Sequence, residues 1–123
     1  RKVLLQVEKR PATPGAEILS VENLRVRDEA GVERLRGISL TVRAGEILGI
    51  AGVAGNGQTE LLEVLGGIAH GTGTVRVNGV ALDLTGAASD GQSRRAQGIA
   101  HVPEDRQVLG LIMDFAAWEN VAF

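Results

Sequence analysis

Residues 52–59 read Gly-Val-Ala-Gly-Asn-Gly-Gln-Thr, and this stretch decides the fold. An apolar run, 47–51, precedes it, and a helical pattern follows from residue 57 to about 65. A glycine-rich turn between a buried strand and a helix is the layout of a phosphate-binding loop, whose pattern is G-x-x-x-x-G-K-[ST]. Gln58 stands where that pattern has lysine. The loop therefore indicates nucleotide binding. The substitution of Gln58 for lysine indicates that this loop binds and processes the nucleotide differently from a loop that has the lysine.

Each residue type in the loop has a chemical reason. Gly52, Gly55 and Gly57 accept positive φ, which lets successive N–H groups converge on an anion, and the helix adds the positive end of its dipole. Thr59 supplies a hydroxyl of the kind that binds Mg²⁺ beside phosphates. A turn without any ligand is the alternative interpretation. The predicted nucleotide-binding residues are Gly52, Val53, Ala54, Gly55, Asn56, Gly57, Gln58, Thr59 and Glu60.

Gln58 replaces a full positive charge with a neutral hydrogen-bond donor. Charge-assisted hydrogen bonds contribute about 1.5–3 kcal/mol, against about 0.5–1.5 kcal/mol for neutral ones. The lost charge should therefore weaken nucleotide binding by about 1–2 kcal/mol, which is roughly 5- to 30-fold. Phosphoryl transfer should suffer more, because fixed cations stabilise its transition state.

Composition excludes several classes of protein. The chain has 123 residues, a formal net charge of −2 and 44% hydrophobic residues, which fits one small domain or a piece of a larger protein. The charge balance argues against a nucleic-acid binder. The absence of cysteine excludes disulfides and thiolate metal sites. No apolar run reaches the roughly 20 residues that a transmembrane helix needs.

The pattern along the chain predicts a mixed α/β fold. Residues 1–16, with Pro11 and Pro14, are interpreted as a linker, and compact structure is expected from residue 17. The predicted strands are 17–26, 33–42, 47–51, 74–77, 80–82 and 99–102, with hairpin turns at 28–31 and at Asn78-Gly79. The predicted helices are 57–65, 89–97 with Ser89 or Asp90 as its cap, and 115–123 with Asp114 as its cap.

Two separated segments carry a family resemblance. Residues 43–61 resemble the Walker A region of ABC-transporter ATPases, and residues 98–106, Gly-Ile-Ala-His-Val-Pro-Glu-Asp-Arg, resemble their Q-loop region. Glu104 stands where most members have the Q-loop glutamine. With Glu104 in the Q-loop region and Gln58 in place of the Walker A lysine, the chain is similar to the second cassette of tandem ATPases that serve simple-sugar (ribose/galactose-type) and nucleoside importers. The resemblance covers residues 17–123, and it implies that the linker at residues 1–16 follows a preceding cassette.

The resemblance implies the front part of a P-loop, RecA-like ATPase core with an antiparallel β-subdomain, ending before the helical subdomain and Walker B. It implies ATP and Mg²⁺ as cofactors, with Thr59 and Glu104 as the metal ligands. The implied partners are the first cassette of the same polypeptide and transmembrane permease subunits, at the cytoplasmic face of a bacterial inner membrane, and no nucleic acid.

The implied function is that of an ATP-binding subunit, with a degenerate second cassette, in an importer for sugars or nucleosides. The fragment alone is expected to be inactive as an ATPase. A non-hydrolytic half-cassette that scaffolds the active cassette and the permease is the alternative, and a small P-loop kinase or GTPase is a weaker one, because those chemistries depend on the lysine.

Other residues have ordinary interpretations beside functional ones. The first hairpin lacks the aromatic on which the resembled family stacks adenine, and Arg27 is a candidate substitute. Glu104 and Asp105 form a candidate acidic pair, for which a solvated loop is the alternative. His70 and His101 are interpreted as surface or strand residues, and Arg94-Arg95 as a polar helix face rather than a phosphate patch. Phe115 and Trp118 are predicted to pack in the core, with partner contact as the alternative.

Overall fold

The computed structural model describes residues 11–86 and 89–122. Residues 1–10 of the predicted linker, together with Phe123, lie outside the described residues. The described strands form one antiparallel sheet in the order β2-β1-β3-β4. The strands are β1 (Glu17–Arg27), β2 (Glu33–Arg43), β3 (Thr72–Val77) and β4 (Val80–Ala81). The predicted mixed α/β class and its antiparallel β-subdomain are confirmed.

Both predicted hairpins are present. In the first, Asp28 fixes the turn, because its Oδ1 accepts a hydrogen bond from the Val32 N–H at 2.9 Å. In the second, Asn78 and Gly79 have φ of 50° and 80°, the left-handed pair that a two-residue turn between antiparallel strands requires. The second turn lets Val75 enter the core.

A bulge explains why the apolar pattern of β1 alternates imperfectly. The register against β2 shifts between Val21 and Leu24, and Asn23 within that shift has φ 49°. The Asn23 N–H donates to Ser39 Oγ at 3.0 Å, so the irregular backbone keeps a partner. The extra residue places Val21 and Leu24 on the same buried face although they are three positions apart.

Four helices lie among the described residues: α1 (Gln58–Gly66), α2 (Gly91–Ala96), α3 (Arg106–Leu109) and α4 (Ala117–Ala122). Gly67 ends α1 in the left-handed conformation, as the Gly66-Gly67 pair predicts. Asp90 caps α2, and its carboxylate accepts from the Ser93 N–H at 2.7 Å. None of the helices in the described part of the chain is long and apolar enough to cross a membrane.

The core lies between α1 and one face of the sheet. It is built from Val21, Leu24, Val26, Leu35, Leu61, Val64, Val75, Leu82 and Leu84. The leucine spacing predicts that Leu61, Leu62 and Leu65 form the buried side of α1. Leu61 is buried and Leu65 is partly buried against the core, but Leu62 is exposed and Val64 is buried in its place. Contact with the sheet determines which side of α1 is buried, and the spacing of the leucines alone does not predict that side.

Two predicted strands are absent from the described structure, 47–51 and 99–102. Ile47 is 97% exposed and Ile50 is 52% exposed, so the first segment is not buried on either face. A strand of a parallel sheet forms only beside neighbours that complete its ladder. Within residues 11–86 and 89–122, each assigned strand belongs to the antiparallel sheet, and neither segment has such a neighbour.

The C-terminal segment also differs from prediction. The helix begins at Ala117, and it is Glu119 rather than Asp114 that holds its start, since the Glu119 carboxylate accepts from the Ala116 N–H at 2.7 Å. Trp118 is 72% exposed, and Phe115 is exposed as well, so the prediction of core packing is wrong for both.

Candidate functional site

Gly57 joins the loop to α1 at a point of close contact with the sheet. It is the N-cap of α1 with φ 97°, and it is buried. A Cβ on Gly57 would lie 2.6 Å from Leu35 Cδ2 and 3.0 Å from the Arg34 carbonyl oxygen. Only glycine meets both conditions, a positive φ and the absence of a side chain. The C-terminal end of the loop therefore packs against β2.

The other two glycines act differently from each other. Gly55 has φ 85° and open space around its Cα, so its role is conformational. Gly52 has no positive φ, but the Gln58 amide lies directly over it and a Cβ there would collide with Gln58 Nε2. Gly52 therefore permits the close approach of Gln58, and the positive φ that the loop pattern predicts for Gly52 is wrong.

Gln58 folds back across the loop. Its Nε2 donates to the Val53 carbonyl oxygen at 3.3 Å, which joins the two ends of the loop through one side chain. The amide supplies a neutral donor inside the turn, as the sequence predicts, and it braces the backbone at the same time.

The start of α1 presents free backbone donors to the loop. The first four N–H groups of a helix have no partner within the helix, and Gly57 has no side chain with which to cap them. Residues 52–56, which precede these donors and the positive end of the helix dipole, are exposed to solvent. The arrangement suits an anion with several acceptor oxygens, such as a phosphate chain.

Thr59 and Glu104 are brought together across 45 positions of sequence. Thr59 Oγ1 donates to Glu104 Oε2 at 3.0 Å. Both side chains line a cavity of about 900 Å³ beside the loop. The cavity is lined by Ile50, Gly52, Ala54, Gly55, Gln58, Thr59, Leu62, Glu63, His101, Val102, Pro103, Glu104, Asp105, Arg106, Gln107 and Leu109.

The Thr59–Glu104 pair fits a magnesium ion. Two adjacent ligands of an octahedral Mg²⁺, each about 2.1 Å from the metal, lie about 3.0 Å apart, which matches the observed separation of the two oxygens. The described residues contain no group of three or more His, Cys, Asp or Glu side chains that would hold a metal ion. The ion would therefore need phosphate and water oxygens as well, which is how Mg²⁺ binds beside nucleotides.

The segment that carries Glu104 is positioned by α1 and α2. His101 packs on Gly66, where a Cβ would meet His101 Nδ1 at 2.8 Å. The Ile99 N–H donates to the Arg94 carbonyl at 2.9 Å at the end of α2. On the far side, Asp105 caps α3 by accepting from the Gln107 and Val108 N–H groups at 3.0 and 3.1 Å. Asp105 is thus a structural cap rather than half of an acidic pair.

The predicted site residues divide into three groups. Gly52, Ala54, Gly55, Gln58, Thr59 and Glu104 line the large cavity. Asn56 lines a second cavity together with β2, and Gly55 lines both. Val53 contributes its carbonyl to Gln58, Gly57 is the buried N-cap, and Glu60 lies in the first turn of α1 without lining either cavity.

The buried position of Arg94 is not predicted by the sequence. Arg94 is 1% exposed rather than part of a polar helix face, and its Nη2 donates to the Asp83 carbonyl at 2.6 Å and to Ser89 Oγ at 3.2 Å. Burial lowers the pKa of the Arg94 guanidinium, and the charges of Asp83 and Asp90 oppose that effect. Backbone N–H groups of Thr85 and Gly86 lower the pKa of the Asp83 carboxyl.

The fold and the site together define a class, that of proteins with a glycine-rich loop at a helix N-terminus, which is the layout of a phosphate-binding loop. The family model for ABC transporters matches residues 35–120. The chain belongs to the ABC transporter family.

The chain is similar to several ATP-binding proteins of importers. The chain is 43% identical over 122 residues to the guanosine import ATP-binding protein NupO of Bacillus subtilis, covering 98% of the chain and 23% of that protein. It is 37% identical over 125 residues to the nucleoside import ATP-binding protein NupA of Lactococcus lactis, covering 99% and 24%. It is 40% identical over 113 residues to the xylose import ATP-binding protein XylG of Geobacillus kaustophilus, covering 89% and 22%. The chain thus spans about a quarter of the length of these relatives.

Proposed function

We propose that this chain forms a nucleotide-binding site in the ATP-binding subunit of an ABC importer for sugars or nucleosides. The site would belong to the second, degenerate cassette of a tandem ATPase, which binds MgATP weakly, hydrolyses it slowly and leaves most of the driving force to the first cassette. The relatives' names support the importer, and the loop chemistry supports the weak site.

One observation carries the proposal, the 3.0 Å contact between Thr59 and Glu104 at the rim of the loop. Two hard oxygen atoms at this spacing beside a glycine-rich loop are what a site for Mg²⁺ and phosphate requires. Thr59 and Glu104 would hold Mg²⁺, and the loop N–H groups would orient the phosphates that complete its coordination. When bound, the ion would neutralise charge on the outer phosphates.

Removing the Thr59 hydroxyl tests this proposal. Thr59→Val keeps the shape of the side chain and loses the ligand, so MgATP affinity at this site should fall by about 10- to 100-fold, the range seen when groups that support a metal are lost. Calorimetric titration of the complete protein with MgATP measures the change, and subtraction from the unaltered protein isolates this site from any other.

Thr59→Ser is the matched control, since it restores the hydroxyl, and it should bind like the unaltered protein. With excess EDTA, the unaltered protein and Thr59→Val should bind ATP equally. Identical titrations of Thr59→Val and Thr59→Ser with MgATP would refute the assignment of this site to a magnesium nucleotide.

Restoring the missing charge gives a second prediction. Gln58→Lys should tighten MgATP binding by about 5- to 30-fold, because an ammonium group replaces a neutral amide beside the phosphates. Gln58→Met, of similar length and uncharged, should not tighten it. Equilibrium binding to the complete protein is the measurement, and unchanged affinity in Gln58→Lys would contradict the explanation of the weak site.

A scaffold that needs no nucleotide is the second candidate function. It is supported by a run of exposed apolar side chains that follows Glu104 in the chain, at Val108, Leu109, Leu111, Met113, Trp118 and Val121. Such a surface suits contact with a permease subunit or another domain. The calorimetric titration separates the two, since the absence of heat from this site at millimolar MgATP would favour the scaffold.

A further inference from the structure

A second cavity lies between the loop and β2, and Glu104 does not line it. It has a volume of about 390 Å³, and residues 32–36 and Ile38 on the β2 side face Gly55 and Asn56 of the loop across it. Gly55 lines both cavities, so the loop separates them. Gly57 packs on the Arg34 backbone, which fixes this part of β2 against the loop.

The two cavities give a bound nucleotide a direction. Thr59 and Glu104 lie in the large cavity, so the phosphate that shares the metal belongs there. A phosphate chain that followed the loop from there would bring the ribose and base to the cavity beside Asn56. That cavity has no aromatic side chain, so the base needs another flat surface.

Arg34 provides such a surface because its guanidinium is held in place. Its Nε and Nη2 each approach Asp28 Oδ2 at 2.8 Å. Asp28 is itself fixed by the Val32 N–H at 2.9 Å, and this hydrogen bond lowers the pKa of its carboxyl. The bonds to Asp28 engage the edge of the guanidinium and leave its faces open, and the side chain is 44% exposed.

We propose that the Arg34 guanidinium, clamped by Asp28, is the platform on which the base of the nucleotide stacks. The inference rests on the proposed function and adds the base-recognising residue. Arg27, the candidate from the sequence, lies at the end of β1 and does not line this cavity. A guanidinium stacks on the face of any base and does not read its edge, so ATP and GTP should bind within several-fold of each other.

Two photoreactive nucleotides test the platform in the complete protein. ATP with an azide on the base should label residues 28–38, and ATP with an azidoanilide on the γ-phosphate should label residues 101–109. Mass spectrometry of the labelled peptides locates each end of the nucleotide. Unlabelled magnesium tripolyphosphate should compete with both probes, since it occupies the phosphate loop alone.

Variants then separate stacking from charge. Arg34→Ala should weaken binding of the base-azide probe about 2- to 6-fold, the range for a cation–aromatic contact at a partly exposed site. It should leave tripolyphosphate affinity unchanged. Arg34→Lys keeps the charge without the planar face and should also lose binding. Arg27→Ala, the matched control on the neighbouring strand, should bind both probes like the unaltered protein.

The outcomes distinguish the two proposals. If the γ-phosphate probe labels residues 101–109 and the base probe labels elsewhere, or if the Arg34 variants bind like Arg27→Ala, the platform is overturned and the nucleotide site stands. If neither probe labels these segments and tripolyphosphate does not bind, the nucleotide site itself fails. Retained γ-phosphate labelling in the Arg34 variants shows that they are folded.

Discussion

Replacing Gly57 with alanine should abolish nucleotide binding at this site. The new Cβ would lie 2.6 Å from Leu35 Cδ2 and 3.0 Å from the Arg34 carbonyl, at a backbone φ of 97°. The left-handed conformation costs a residue with a Cβ about 1–2 kcal/mol, and forcing a methyl group into a packed site costs about 1–3 kcal/mol. If the loop changes shape to avoid this sum of about 2–5 kcal/mol, its phosphate-binding geometry is lost, so MgATP affinity should fall by at least about 30-fold.

Two other glycines give matched controls for this prediction. Gly55→Ala carries the conformational cost alone, because φ is 85° and nothing lies within 4 Å of the new Cβ. Its loss should be about 5- to 30-fold. Gly49→Ala has neither a positive φ nor a contact and should bind normally. Equal losses for Gly57→Ala and Gly55→Ala in titrations of the complete protein would show that the contact with β2 is not what requires glycine.

The turns and caps of this fold were predictable because their causes are local. The Asn78-Gly79 dipeptide predicts a two-residue hairpin turn by itself, and Asp90 lies directly before the helix that it caps. The error at Asp114 has a local cause as well. A residue inside the helix, Glu119, reached back to do the capping, and that option is written in the sequence as a glutamate in the third helical position.

Burial was harder to predict because it depends on partners distant in sequence. The apolar run 47–51 was assigned to a buried strand from its composition, and composition does not supply the neighbouring strands. The imperfect alternation of β1 needed the bulge at Asn23 to be understood. Arg94 was placed on the surface because arginine is usually there, and no local pattern marks the carbonyl at Asp83 that draws it inside.

Individual residues of the candidate site could be predicted from the sequence, but the contacts between their side chains could not. The loop pattern names Gly52 and Thr59, while Glu104 entered only through the family resemblance, since no spacing rule joins residues 45 positions apart. The folded-back Gln58 and the Asp28–Arg34 clamp were both unforeseen, because each is an interaction of side chains whose direction depends on the backbone around them.

Truncating Arg94 should loosen the segment that carries Glu104. Arg94 ties α2 to Asp83 and Ser89, and its side chain packs on the end of α1, where a Cβ on Gly67 would lie 3.0 Å from Arg94 Cγ. Deleting a buried side chain of this size costs about 2–5 kcal/mol. Arg94 Nε and Nη1 are buried without a hydrogen-bond partner among the described residues, and removing them recovers part of that cost.

The net effect of Arg94→Ala should therefore be about 2–3 kcal/mol, seen as a 30- to 150-fold loss of hydrogen-exchange protection in peptides covering 83–99 of the complete protein. Arg94→Met keeps the packed stem and should lose about 1 kcal/mol, while Arg95→Ala, its exposed neighbour, should lose nothing measurable. Because α2 leads directly into 99–104, Arg94→Ala should also weaken MgATP binding without affecting ATP binding in EDTA. Protection lost without that magnesium-specific effect would show that Glu104 is held in place by His101 and α3 instead.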